Sequence, residues 1–143
     1  MKAAVAVLVV LALCSLVLSK KADLKVDVEY RPEHCDIKTK NGDEIEVHYV
    51  GKLEDGKEFD NSFSRGQPIK LILGKGHVIK GWEEGLVGMC ITEKRVLTIP
   101  PELGYGARGY PPVIPENAVL IFETVLVTIN GKGVGLKTDN IVQ

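Results

Sequence analysis

The chain has 143 residues, enough for one domain, and its 45% hydrophobic and 26% charged residues are the balance of an ordinary globular protein. A formal net charge of -1 supplies no basic footprint, which excludes an electrostatic nucleic-acid binder. His34, His48 and His77 lack ligand spacing with one another or with the cysteines, so neither a metal site nor a cofactor is expected.

The first predicted element is a leader. Lys2 precedes an almost continuously apolar run over residues 3–18, and Val17 and Ser19 are small enough to flank a cleavage site after Ser19. Such a run is short for a bilayer-spanning helix, which needs about 20 apolar residues, and suits a signal-peptide core. The alternative is an uncleaved anchor. Once the leader is cleaved, no membrane association is expected. Of the three cysteines, Cys14 leaves with the leader and Cys35 and Cys90 remain. An even pair in an oxidising compartment points to a disulfide, with two free thiols as the alternative. Closing so long a loop would remove denatured-state entropy worth about 4 kcal/mol on the chain-entropy view.

Residues 20–24 form a charged start. Residues 25–31 alternate through Val26, Val28 and Tyr30 and predict a strand. Asn41-Gly42 marks a turn. Residues 43–53 alternate again, with Ile45, Val47 and Tyr49 on one face and His48 among the polar positions. A turn at Glu54-Asp55-Gly56 leads to a short return strand at 57–61. Residues 69–73 are apolar and end at Gly74. Over residues 78–89, Ile79, Trp82 and Leu86 recur at helical spacing, interrupted by Gly81, Gly85 and Gly88. Each glycine costs up to about 1 kcal/mol against alanine, so this helix should be short and held by packing. Residues 94–99 predict a strand closed by Pro100-Pro101, and the Gly- and Pro-rich stretch 104–116 a long shaped loop. Residues 119–129, apolar on both faces, belong in mid-sheet. One helix among antiparallel strands makes the fold class α+β. Gly74-Lys75-Gly76 hints at a phosphate loop, but Gly81 falls five residues on where a dinucleotide fingerprint needs three, so nucleotide binding is not expected.

Three segments carry a resemblance. EIEVHYVGKLEDGKEFDNS (44–62), VIKGWEEGLVGMC (78–90) and LTIPPELGYGARGYPPVIPENAVLIFE (97–123) occur in the order and spacing of the FKBP-type peptidyl-prolyl isomerases, the macrolide-binding immunophilins, which the chain closely resembles over residues 28–129 without a gap. The resemblance implies an antiparallel sheet wrapped half around one short helix, with a prolyl pocket between them. With the leader read above, the expected organisation is a signal peptide at 1–19, an isomerase domain at 20–130 and a polar, Gly-bearing tail at 131–143. Trp82 would be the pocket floor, with Tyr49, Phe59, Tyr105 and Phe122 as aromatic walls. Val78 and Ile79 would stand at the start of the helix, where Ile79 N–H can donate to a substrate carbonyl, and Val113 and Ile114 would form a loop wall. Asp60 would be the carboxylate beside the pocket and Arg65 its basic partner. Asp60 has a second reading, as a turn cap or a purely structural ion pair. Ile69, Tyr110 and His77 depart from the commonest family residues and bear on ligand affinity and substrate preference.

The resemblance further implies a monomeric enzyme without cofactor that accelerates X-Pro isomerisation in secretory-pathway chains. Macrolides such as tacrolimus and rapamycin would inhibit it. A non-catalytic module that holds a Pro-containing loop of a partner is the alternative. Secretory relatives carry a cysteine pair in the contexts of His34-Cys35 and Met89-Cys90. They place the protein in the endoplasmic-reticulum lumen, with secretion as the alternative because the last residues form no KDEL-like signal.

Overall fold

A computed structural model of the chain describes residues 22–134; the leader, its cleavage site, Cys14 and residues 135–143 of the tail lie outside the described residues. Seven strands form one antiparallel sheet: β1 (Lys25–Tyr30), β2 (Glu44–Leu53), β3 (Glu58–Asn61), β4 (Ile69–Ile72), β5 (Lys94–Ile99), β6 (Leu120–Ile129) and β7 (Lys132–Gly133). The order is β1-β5-β6-β2-β3, with β4 on the first half of β2 and β7 on the end of β6. The doubly apolar strand β6 is central, because a strand with neighbours on both sides can bury most of both faces.

The alternation in β2 sets the core. Ile45, Val47 and Tyr49 face inward, and the register that pairs Ile45 with Ile129, Val47 with Leu126 and Gly51 with Phe122 lays both strands' apolar residues on one face. Against that face lies α2 (Lys80–Gly85), six residues long. It is shorter than the predicted 78–89. A helix this brief cannot stabilise itself and depends on its packing. Its two glycines provide that packing: a Cβ on Gly81 would fall 2.6 Å from Ile99, and one on Gly85 2.8 Å from Leu97, so only glycine lets the helix lie directly on β5. Trp82 and Leu86 then point into the core.

Several sequence expectations are corrected. The strand expected at 25–31 does form as β1, but its alternating residues Val26, Val28 and Tyr30 are 38%, 46% and 50% exposed, because among the described residues it is an edge strand paired with β5 alone. His48, placed among polar positions, is buried at 2% exposure. A second short helix, α1 (Ser62–Arg65), was not foreseen; the Asn61 side chain accepts from Phe63 N–H and Ser64 N–H at its start, and Gly66 at φ 69° closes it. A 3-10 turn follows Pro100 (Pro101–Leu103), and the tail contributes β7.

Cys35 and Cys90 form a disulfide with Cα atoms 5.6 Å apart, closing a loop of separation 55. Beside it, Glu93 is fully buried and accepts from Arg31, from Arg95 and from Cys90 N–H. Burial alone would raise the Glu93 carboxyl, but the bonds from Arg31 and Arg95 outweigh it and hold it below the usual range. Among the described residues no helix is long and apolar enough to cross a membrane, and no three ligating side chains gather as a metal site.

Candidate active site

A cleft of about 430 Å³ opens between the sheet and the start of α2, lined by Tyr49, Phe59, Asp60, Ile69, His77, Val78, Ile79, Trp82, Tyr105 and Phe122. That volume suits one small cyclic group with its flanking atoms. Four aromatic rings form the floor and inner wall in mutually tilted array. Trp82 meets Tyr49 edge-on at 4.9 Å and Phe122 edge-on at 5.2 Å, and Phe59 meets Phe122 at 5.5 Å and 90°. Edge-to-face contacts suit the ring quadrupoles and fix each ring against its neighbours. Gly51 makes room for them: a Cβ there would sit 2.7 Å from Phe59 and 2.9 Å from Phe122. Sequence reasoning passed over Gly51; its signal was a glycine inside a strand, which marks a close approach. The Trp82 indole Nε1 is buried and meets no acceptor among the described residues.

On one side of the mouth, three polar groups close on one another. Tyr49 OH donates to Asp60 Oδ2 at 2.5 Å, Arg65 Nη2 donates to Tyr49 OH at 3.0 Å, and Arg65 Nη1 donates to Asp60 Oδ1. Burial disfavours the Asp60 carboxylate, yet the bonds from Tyr49 and Arg65 overcome this and hold it below the usual range. Burial and the neighbouring Asp60 push the Tyr49 hydroxyl up. Tyr49 therefore keeps its proton and commits it to the hydrogen bond with the Asp60 carboxylate. Asp60 also accepts from Asn61 N–H at 2.9 Å, while the cap of α1 is made by Asn61.

Behind Tyr49, on the outer face of β2, the Ser62 hydroxyl accepts from Tyr49 N–H at 2.7 Å and stands 2.8 Å from His48 Nδ1. The imidazole stacks on Phe63 at 4.4 Å, and burial lowers its pKa. This buckle joins the backbone of Tyr49 to the segment that carries Asp60 and Arg65. Sequence reasoning missed it because the partners lie 14 residues apart on different elements.

At the helix end of the cleft, Ile79 carbonyl accepts from Trp82 and Glu83 N–H, whereas Ile79 N–H has no acceptor among the described residues. It is a backbone donor free at the cleft. On the long loop, Tyr105 lines the mouth and meets Tyr110 at 5.7 Å. Val113 and Ile114 are not brought to the cleft wall. Paired backbone bonds between Tyr110 and Ile114, both 2.8 Å, close a tight turn that drives Ile114 into the core and leaves Val113 43% exposed at the tip. His77, noted only as a departure, does line the cleft.

An antiparallel sheet packed on the short helix α2, with an aromatic cleft at the start of that helix, defines an α+β architecture whose family can be identified by comparison. Comparison with known proteins specifies it. A family model described as FKBP-type peptidyl-prolyl cis-trans isomerase matches residues 35–127. Peptidyl-prolyl cis-trans isomerase FKBP15-1 of Arabidopsis thaliana is 50% identical over 133 residues, covering 90% of this chain and 87% of that protein. FK506-binding protein 2 of Aspergillus fumigatus is 57% identical over 122 residues, covering 85% and 88%. Human FKBP2 is 50% identical over 129 residues, covering 86% and 91%. The crystal structure of AtFKBP13 superposes with a TM-score of 0.67 at 38% identity, covering 77% of this chain and 93% of that one. The chain belongs to the FKBP-type peptidyl-prolyl isomerase family and is an isomerase of that type.

Proposed function

We propose that the cleft seats the proline of an X-Pro segment, with the ring on Trp82 and between Tyr49, Phe59 and Phe122, and with Ile79 N–H donating to a substrate carbonyl. The single observation that carries this reading is an aromatic cleft edged by the Ile79 backbone N–H, which has no acceptor among the described residues. The barrier to rotation about a peptide bond is about 18–20 kcal/mol because resonance makes C–N partly double. Twisting ends that conjugation and lowers the polarity of the carbonyl. An apolar wall therefore disfavours the planar amide more than the twisted one, and catalysis follows from that difference in binding. Lowering the barrier by roughly 6 kcal/mol brings a process of tens of seconds to milliseconds. No proton is transferred. Asp60 and Arg65 act by holding the pocket side chain of Tyr49 in place, and the reaction needs no general base.

The substrates we propose are Pro-containing chains folding in the secretory pathway, with the endoplasmic-reticulum lumen as the site of action. The Cys35–Cys90 bridge supports an oxidising compartment. Tacrolimus and rapamycin, whose cyclic groups suit the same cleft, are expected to compete with substrate. The test is exchange NMR on an X-Pro peptide. Exchange accelerated by catalytic amounts of protein, with tacrolimus abolishing it and shifting the Trp82 indole resonance, is the expected result. Binding without accelerated exchange would support a holding module instead.

A further inference from the structure

The loop from Gly74 to Val78 joins β4 to α2 and delivers Val78 and Ile79 to the cleft, yet it is weakly held. Gly74, Lys75, Gly76 and His77 are all exposed. Among the described residues, its own peptide groups make two hydrogen bonds, and both end on one side chain. Gly74 N–H donates to Glu83 Oε2, and Gly76 N–H donates to Glu83 Oε1 at 3.2 Å. Gly74 and Gly76 have φ of 82° and 71°, the left-handed conformation that aims their N–H groups at a common acceptor in the first turn of α2. Glu83 also donates its backbone N–H to the Ile79 carbonyl at 3.2 Å. One residue therefore grips the start of the loop by its side chain and the end by its main chain. It directly follows Trp82. The neighbouring Glu84 is exposed and has no polar side-chain partner among the described residues.

We propose that Glu83 is a positioning residue for the isomerase: its carboxylate holds the loop in the one arrangement that points Ile79 N–H at the substrate carbonyl. This rests on the reading of Ile79 N–H as the donor to substrate. A carboxylate suits the task because each oxygen accepts one N–H. A glutamine keeps the length but has one oxygen and an N–H2 that cannot accept, and an alanine keeps neither bond. Without the clamp the loop samples other arrangements, and apparent affinity falls in proportion to the competent fraction. The loss belongs in KM and in the dissociation constant of a cleft ligand, with kcat at saturation close to that of the wild type.

The test compares wild type, Glu83→Gln, Glu83→Ala and Glu84→Gln of the mature protein, using X-Pro exchange kinetics, tacrolimus titration and thermal melts. KM and the tacrolimus dissociation constant should rise about tenfold in Glu83→Ala and about threefold in Glu83→Gln, as the competent fraction drops. Glu84→Gln should match wild type. Amide hydrogen exchange at Gly74 and Gly76 should quicken in step with the rise in KM. Should Glu83→Ala not fold, the isosteric Glu83→Gln carries the test alone. Faster exchange at the two glycines with unchanged KM would overturn the proposal, as would an equal loss in Glu84→Gln or a fall in kcat at constant KM. A wild type that binds neither peptide nor tacrolimus at Trp82 would instead overturn the cleft reading, and would do so before any variant is compared.

Discussion

The two ends of α2 are held in opposite ways. At its C-terminal end the carbonyls are taken up by the framework: Arg95 donates to Gly85, Val87 and Gly88 oxygens at 3.0, 2.8 and 2.9 Å, and Thr39 Oγ1 donates to Leu86 oxygen at 2.5 Å. Arg95 is locked in turn by buried Glu93, which sits against the Cys35–Cys90 bridge. At its N-terminal end Ile79 is a cap without a side-chain hydrogen bond, and its N–H stays open to the cleft. A helix of six residues has more orphan peptide groups than internal bonds, so its ends decide its position. Anchoring one end to a buried ion pair and a disulfide leaves the other free for a ligand without loss of the fold. Stability and recognition are thereby segregated along about two turns of chain.

The largest test of this contrast removes the anchor. Arg95→Met should cost about 3–5 kcal/mol, because it leaves the Glu93 charge buried with one partner fewer and strips bonds from three carbonyls at and just beyond the helix end. Chemical denaturation would measure it, and a loss below 1 kcal/mol would mean that the C-terminal end is not the anchor. Opening the bridge comes next. Mass spectrometry without reductant should find Cys35 and Cys90 unavailable to alkylation, and Cys35→Ser/Cys90→Ser should lower stability by roughly 2–4 kcal/mol while leaving X-Pro turnover of the folded fraction near normal. Lost turnover at full folding would show that the two ends are coupled rather than segregated.

At the open end the effects should appear in activity. Phe59→Ala admits water to the cleft and should reduce kcat/KM by about tenfold or more, equivalent to ~1.4 kcal/mol of transition-state stabilisation. Asp60→Asn, which keeps an oxygen for Tyr49 and Arg65, should lose only about threefold on the same scale. The reverse order would replace desolvation with a charge-driven account. The smallest effect concerns His48. Its folded pKa lies below the ordinary 6.5, so its contribution to stability is complete above pH 6.5 and declines as pH falls from there toward the lowered value. Asp43, Asp60 and Glu93 are also lowered from ordinary values of 3.8, 3.8 and 4.5, so their contributions are complete above about pH 5 and decline only as pH falls from there toward the lowered values. Urea melts between pH 7.5 and 5 should show a shallow decline that His48→Gln flattens; an unchanged slope in that variant would place the titrating group elsewhere.

What the sequence by itself determined was the class of each long element and the identity of the aromatic set. Period-two alternation through Ile45, Val47 and Tyr49 and the doubly apolar run at 120–129 declare strands and their depth, since the pleat alone assigns faces. The three FKBP-like segments carried Trp82, Tyr49, Phe59 and Phe122 to one site. Only the tertiary structure decided which alternating strand is an edge, leaving Val26, Val28 and Tyr30 exposed, and that His48 is buried behind Tyr49. Only it decided that Ile114 is taken into the core while Val113 stays exposed, neither among the residues that line the cleft, and that the glycines of α2 and β2 are contact surfaces and not interruptions. The reason is physical. Periodicity is a property of one segment and survives in isolation, whereas burial, hydrogen-bond partnership and close approach belong to pairs of segments distant in the chain. Those pairs come into being only when the sheet closes over the helix.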